Sequence, residues 1–252
     1  MTRPFSKLEI GAGHYLAYRH FPGDSPGILF CPGFRSDMEG NKATALEAYC
    51  RANGRQFTCF DYFGHGRSSG AFEAGTVGQW RDDTIAILDG VTTGPQLILG
   101  SSMGGWMMLL AALERPERVT ALVGVASAPD MTEHQRQRLS PEQLRSLAEH
   151  GWYDLPNAYD DCQPHRIRQT FLDEAERHFL LGKAIPITVP VRLLHGLGDM
   201  DVPWERSMIL ARRLESADVV LHLVKSGDHR LSTPADLALL TNTLDQLLHD
   251  RG

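Results

Sequence analysis

A mostly parallel β-sheet with helices on both faces, an α/β fold, is the architecture this sequence predicts. Two observations carry that expectation. Short apolar or β-branched runs alternate with amphipathic stretches along most of the chain, the pattern of strands joined by crossover helices. The runs also end at punctuating residues, as at Pro32-Gly33 after residues 27–31 and at Pro116 after the apolar stretch ending at Glu114.

The elements follow in order. Residues 5–10 and 14–20 predict an opening antiparallel hairpin across Gly11 and Gly13, and residues 27–31 a buried strand. A helix over 39–53 is ended by Gly54, and strand 56–60 leads into a glycine-rich loop over 61–75. Helix 77–91, strand 96–100, helix 103–114 and strand 119–125 continue the alternation. It then breaks. Residues 128–187 carry helical segments at 141–149 and 173–181 among loops, with no strand expected. Strand 191–195, helix 204–214, strand 219–224 and helix 234–249 complete the chain. A single domain over 1–252 is expected, with the insertion at about 128–187 forming a helical lid. Long inserts between strands of such folds carry function, and this one is too short to bury a core of its own.

Composition excludes some partners. The chain carries 31 acidic against 25 basic residues, a formal charge of −6, whereas binding nucleic acid requires a basic surface. The four cysteines, Cys31, Cys50, Cys59 and Cys162, form no C-x-x-C pair and read as reduced thiols of a cytoplasmic protein. Residues 1–10 lack the apolar stretch of a secretory signal. The longest apolar stretch, 97–113, is interrupted by three glycines and two serines, so no membrane span is expected.

The pattern G-x-S-x-G occurs twice, at Gly100-Ser101-Ser102-Met103-Gly104 and at Gly66-Arg67-Ser68-Ser69-Gly70. A nucleophilic serine needs a sharp strand-to-helix turn with small neighbours, which lifts its oxygen above the sheet. Ser102 has a buried strand before it and a helical run after it, and Gly105 lets that helix approach the sheet. Ser68 follows a polar loop and starts no helix, so Ser102 is the expected nucleophile.

A serine hydroxyl needs a base within hydrogen-bond reach. In the α/β-hydrolase arrangement, to which the Ser102 turn points, the chain order is serine, acid, histidine, with the histidine on a loop after the last strand. That strand is 219–224, and its loop, Lys225-Ser226-Gly227-Asp228-His229-Arg230, nominates His229. His222 lies within the strand, His195 is assigned to a strand-end turn, and His65 to loop packing. The acid belongs after the preceding strand, where Asp199 and Asp201 both stand. Asp199 matches the H-G-x-x-D-x-x-V-P pattern found in many hydrolases of this fold. Asp201 is assigned as a cap for the helix starting near Trp204. The acid holds the correct histidine tautomer and stabilises the imidazolium.

An oxyanion hole needs two backbone N–H groups. Met103, next to the nucleophile, supplies one. Phe34, in Cys31-Pro32-Gly33-Phe34, is assigned the other, because the corresponding His-Gly-x loop of related enzymes uses its third residue. Here Cys31-Pro32 replaces the usual His-Gly form, which a backbone donor tolerates.

Further segments carry a narrower resemblance. Pro32-Gly33-Phe34, Glu39-Gly40-Asn41-Lys42-Ala43, Thr76-Val77-Gly78-Gln79-Trp80, the Ser102 turn through Trp106, Val202-Pro203-Trp204 and Asp228-His229-Arg230 are among them. Together they resemble the palmitoyl-protein thioesterase and acyl-glucuronide esterase subfamily of α/β-hydrolases. The resemblance runs from about residue 25 to near the C-terminus and includes Phe171-Leu172 and Ile185-Pro186-Ile187. It implies a Ser102, His229, Asp199 triad with Phe34 and Met103 as oxyanion donors. It also implies acyl-enzyme hydrolysis of esters or thioesters without a cofactor. No mitochondrial leader is read in the sequence, so a cytoplasmic bacterial member is expected.

Other functions fit less well. A non-catalytic ligand-binding relative would have lost a triad residue, and a dehalogenase would carry aspartate at position 102. A serine peptidase remains an alternative. No H-E-x-x-H spacing suggests a metal, and none is expected. For the substrate, a small-molecule ester or an acyl-protein, Trp106 and Trp204 are expected beside Phe34 along an apolar acyl site. Arg166 and Arg168 are candidates for a carboxylate-bearing leaving group.

Overall fold

The computed structural model describes residues 4–155 and 165–249. Among the described residues ten strands form two sheets. In chain order, the main sheet contains β1 (Ser6–Gly11), β2 (His14–Phe21), β3 (Asp24–Cys31), β4 (Arg55–Phe60), β5 (Gln96–Ser101), β6 (Val119–Val125), β9 (Val191–Gly196) and β10 (Val219–Val224). They lie side by side as β1-β2-β4-β3-β5-β6-β9-β10. Every neighbouring pair from β4 to β10 is parallel, and the β1–β2 hairpin adds to β4 antiparallel.

Strand alternation sends neighbouring side chains to opposite faces, and each face has its own helices. Ile28, Phe30, Leu97, Leu99 and Val123 pack with Leu46 and Cys50 of α1 (Asn41–Ala52) and Leu240 and Leu244 of α8 (Pro234–His249). Leu29, Ile98, Leu122 and Leu193 face the other way. They meet Trp80 and Ile87 of α2 (Val77–Gly90), Trp106 and Leu109 of α3 (Met103–Glu114), and Leu210 of α7 (Glu205–Arg213). After β3 the chain crosses to one side and after β5 to the other. The carboxyl ends of these two neighbours therefore border the switch-point crevice where α/β sheets place their ligands.

The framework elements fall within a few residues of their expected bounds. The insertion differs. It contains α4 (Met131–Gln137), α5 (Pro141–His150) and α6 (Gln169–Ala175), and also a ribbon of β7 (Trp152–Leu155) against β8 (His165–Arg168). The absence of strands expected there is therefore wrong. Each ribbon strand is four residues long and buries one side chain, Tyr153 or Ile167, so no period of two could be counted. The helix expected over 173–181 starts earlier, at Gln169, and is over by Ala175, where a 3₁₀ turn (Glu176–His178) takes its place.

Hydrogen bonds close the insertion on itself and tie it to the framework. The Asp130 carboxylate accepts the N–H groups of Leu180 and Leu181, each at 2.8 Å. Glu174 accepts the N–H groups of Val77 and Gly78 at the start of α2, where the helix dipole favours a negative charge.

Candidate active site

Ser102 alone makes the turn between β5 and α3, with φ 55° and ψ −120°. A side chain rarely holds that conformation, and it persists where the surroundings over-determine it. The Ser102 N–H donates to the Val125 carbonyl at 2.9 Å, and its carbonyl accepts from Gly105 at 2.9 Å and Ala128 at 3.0 Å. Gly104 is required by packing, because a Cβ there would overlap the Cys31 carbonyl oxygen. The start of α3 thus presses against the loop after β3, and Gly33 of that loop lies beside Ser101 and Ser102. The segments bearing Met103 and Phe34 are brought together at the serine. As the first residue of α3, Met103 has no carbonyl one turn back for its N–H.

The second G-x-S-x-G copy has a different fate. Ser68 Oγ donates to the Asp61 carbonyl at 2.6 Å and accepts the Ala17 N–H at 2.8 Å, bracing the loop after β4 to β2. Ser69 Oγ accepts the Tyr15 N–H at 2.7 Å in the same brace. The Asp61 carboxylate takes the N–H groups of Met38 and Arg67, and burial raises its pKa to about 6.

His229 stands on the loop after β10. Its Nε2 lies 3.1 Å from Ser102 Oγ and its Nδ1 lies 2.7 Å from Asp199 Oδ2. Nδ1 faces a carboxylate and therefore carries the proton, which leaves Nε2 to accept from the serine. Asp199 follows β9, and its side chain is fully buried. Burial pushes its carboxyl upward. Hydrogen bonds from His195 and His229, the His229 charge and the Val202 N–H outweigh burial and hold it well below the usual carboxylate range. The acid and base loops meet at Gly196 and Gly227, so closely that a Cβ on Gly196 would overlap the Gly227 carbonyl.

Asp201 is exposed, and the cap position of α7 is taken by Trp204, whose own side chain makes no cap hydrogen bond. Oxygen and nitrogen atoms of Asp199, Asp201 and His229 lie within 4.8 Å of one another. They are not arranged as metal ligands, because both Asp199 oxygens already accept N–H donors. His65 packs against Tyr62, Phe72 and Trp80, and burial lowers its pKa to about 4, as suits a neutral packing residue.

The expected substrate residues divide. Trp106 is fully buried, and its Nε1 donates to the His178 carbonyl at 3.0 Å, so it braces the insertion and lines no acyl site. Trp204 is half-buried at the start of α7 and is not among the residues lining the cleft beside Phe34. That cleft is tight, about 10 Å³, and is walled by Phe34, Phe72, Trp80, Ile167 and Phe171, with Glu73, Arg166 and Arg168 also lining it. The Phe34 ring meets Phe72 edge-on at 5.0 Å and Trp80 at 5.9 Å. Arg166 is already engaged, 3.5 Å over the Trp152 ring and 3.2 Å from Asp154 Oδ1. Sequence reasoning missed Phe72, Trp80 and Phe171 as cleft walls. Trp80 and Phe171 had been singled out only for their resemblance. The nine positions 156–164, which include Cys162, lie outside the described residues.

Comparison with known proteins places the fold in a family. The model of the alpha/beta hydrolase family matches residues 28–238. Mitochondrial palmitoyl-protein thioesterase ABHD10 of Mus musculus is 47% identical over 233 residues, spanning 92% of this chain and 78% of that protein. The Homo sapiens protein of the same name is 44% identical, over 92% of this chain and 76% of its own. The solved structure of mouse alpha/beta hydrolase domain-containing protein 10 superposes with a TM-score of 0.93 at 45% identity, covering 99% of this chain and all of that one. A putative hydrolase from Agrobacterium vitis S4 gives a TM-score of 0.90 at 31% identity, covering 97% and 99%.

Proposed function

Since the chain belongs to the alpha/beta hydrolase family, we propose that it is a serine hydrolase cleaving carboxylic esters and thioesters through an acyl-enzyme on Ser102. The observation that carries the proposal is the unbroken relay from Ser102 Oγ to His229 and on to Asp199, at 3.1 Å and 2.7 Å.

In this scheme His229 Nε2 takes the Ser102 proton as the oxygen bonds to the acyl carbon. The negative charge on the tetrahedral oxygen falls between the N–H groups of Phe34 and Met103. The imidazolium, held by ionised Asp199, then protonates the leaving group, and water repeats the sequence to release the acid. A thiolate, whose conjugate acid has a pKa of about 8.5, leaves with less help than an alkoxide. Nucleophile, base, acid and oxyanion donors are all parts of the chain, so the scheme calls on no cofactor.

The chain acts as a single domain over 1–252, with residues 128–187 as its lid. The acyl group is assigned to the aromatic cleft, where Phe34 and Phe72 of the framework face Ile167 and Phe171 of the insertion and must part to admit a chain, since the cleft has room for about one water. Arg168 is the better candidate for a carboxylate on the leaving group, because Arg166 is spent on Trp152 and Asp154. The relatives' names point to palmitoyl thioesters as one substrate class to test, and acyl glucuronides, which the sequence resemblance suggested, are a second.

Among the described residues no helix is long and apolar enough to cross a membrane. The cytoplasm is the proposed compartment, supported by buried, free Cys31, Cys50 and Cys59, although the relatives' names read mitochondrial. Recovery in an organelle fraction would overturn it.

A panel of p-nitrophenyl esters, acyl thioesters and acyl glucuronides tests the substrate proposal. A buried methylene contributes about 0.8 kcal/mol, so kcat/KM should rise roughly fourfold per carbon until the cleft is full. A flat profile from acetyl to octanoyl would sink the apolar acyl site. Intact glucuronide turnover in Arg168→Ala would remove the arginine from the scheme.

A further inference from the structure

The acid of the relay carries a second histidine. His195 closes β9 fully buried, with Nε2 3.0 Å from Asp199 Oδ2, the oxygen that His229 also uses. The same Nε2 lies 3.0 Å from the Val202 carbonyl, and Nδ1 lies 2.7 Å from Ser207 Oγ on α7. Nε2 faces two acceptors and therefore bears the proton, so Nδ1 of the neutral ring accepts from the Ser207 hydroxyl. We infer that His195, locked in this tautomer by Ser207, is a positioning residue that tunes how strongly His229 holds a proton, acting through their shared Asp199 oxygen. The inference rests on the triad proposed above.

A carboxylate offers about four acceptor sites. Asp199 Oδ1 accepts the N–H groups of Asp201 at 2.9 Å and Val202 at 2.8 Å, and Oδ2 accepts both histidines. Four donors hold the carboxylate in one orientation and share out its charge. Without His195, the Oδ2 charge is directed at His229 alone. The imidazolium is then favoured before substrate arrives, and a larger fraction of His229 cannot take the Ser102 proton.

The other charged groups around the His229 loop include Asp201, Asp228, Arg230, Asp236 and Lys42 of α1, whose ammonium group bonds the Arg230 carbonyl. Arg206, beside Ser207, is turned to the carbonyls of Pro129 and Asp130. None of these is altered in the variants below, so a difference between variants reports His195.

A plain core histidine would also be buried and hydrogen-bonded, and its loss would lower stability alone. The pH profile of kcat/KM separates the two roles. His195→Leu keeps the bulk without a donor, whereas His195→Gln places an amide N–H near the position of Nε2. The acid-limb midpoint of His195→Leu should rise by about half to one pH unit, a shift of one unit being 1.36 kcal/mol. Below the wild-type midpoint its kcat should fall about three- to tenfold with KM nearly unchanged, with little loss on the alkaline plateau, and His195→Gln should restore most of the acid-side activity. Ser207→Ala, which keeps the ring, should move the midpoint the same way by less, and it carries the test if the leucine variant does not fold. A wild-type midpoint in folded His195→Leu or in Ser207→Ala overturns the inference, as does a folded glutamine variant no better than the leucine one. Failure of the triad itself would look different, as fluorophosphonate labelling somewhere other than Ser102.

Discussion

The two G-x-S-x-G segments share a pattern and almost nothing else. At 100–104 the serine is the whole connection between a buried strand and a buried helix, and its backbone is held at φ 55°. At 66–70 the serine sits in a loop with its hydroxyl consumed by the Asp61 carbonyl and the Ala17 N–H. One hydroxyl faces a histidine, and the other stitches a loop to a strand. A motif therefore becomes chemistry only where the fold leaves the oxygen unspent and supplies a base. The acids nearest the two serines diverge as well. Burial raises Asp61 to about 6, whereas two histidines and backbone N–H groups hold Asp199 far lower against the same pull.

The largest expected contrast is catalytic. Ser102→Ala should lose about 10⁴-fold or more in ester turnover while staying folded, since only binding and oxyanion stabilisation remain. Steady-state kinetics on both serine variants checks this, and activity lost in Ser68→Ala but kept in Ser102→Ala would exchange the two roles. A fluorophosphonate probe should label the wild type once, at Ser102. Labelling should fade on the acid side as His229 is protonated. Strong labelling at pH 4 would remove His229 as the base.

Smaller effects sharpen the other side of the comparison. Ser68→Ala should leave kcat/KM within about twofold yet cost roughly 1–3 kcal/mol of stability, because the Ala17 N–H loses its partner. Denaturant unfolding reads that loss. Asp61 and Asp199 should contribute to stability with opposite signs. The Asp61 contribution is present below its unfolded value of about 3.9 and is lost as pH rises through about 6. The Asp199 contribution is present above about 3.9 and is lost as pH falls through its depressed value. Carboxyl carbon NMR should show one aspartate titrating near 6 and another still ionised at the lowest pH the fold survives. Two ordinary titrations would contradict both assignments.

The framework was legible in the sequence because its central strands run six to eight residues and bury side chains over most of their length. Their ends, set by Gly and Pro, then located the loops that carry Ser102, Asp199 and His229. The insertion was not legible to the same degree. Its ribbon buries one residue per strand and depends on pairings across it, such as Arg166 over Trp152, that no local pattern announces. Trp106 was misassigned for a related reason. Its place after the nucleophile suggested exposure to substrate, but the helix turns it inward to the His178 carbonyl. His195 stood in plain view four residues before Asp199. What hid its part was that Ser207, which fixes its ring, comes from the next helix.

The pinch formed by Asp130 with the backbone of Leu180 and Leu181 has a consequence for descent. A segment whose two ends are hydrogen-bonded to each other leaves and rejoins its host at one point, like a jewel in a setting. An exchange of residues 131–179 at that junction would replace Ile167 and Phe171 and leave Phe34, Phe72 and Trp80 of the cleft in place. Lineages built on this frame are free to diversify their appetites at the cap while the chemistry beneath stays still.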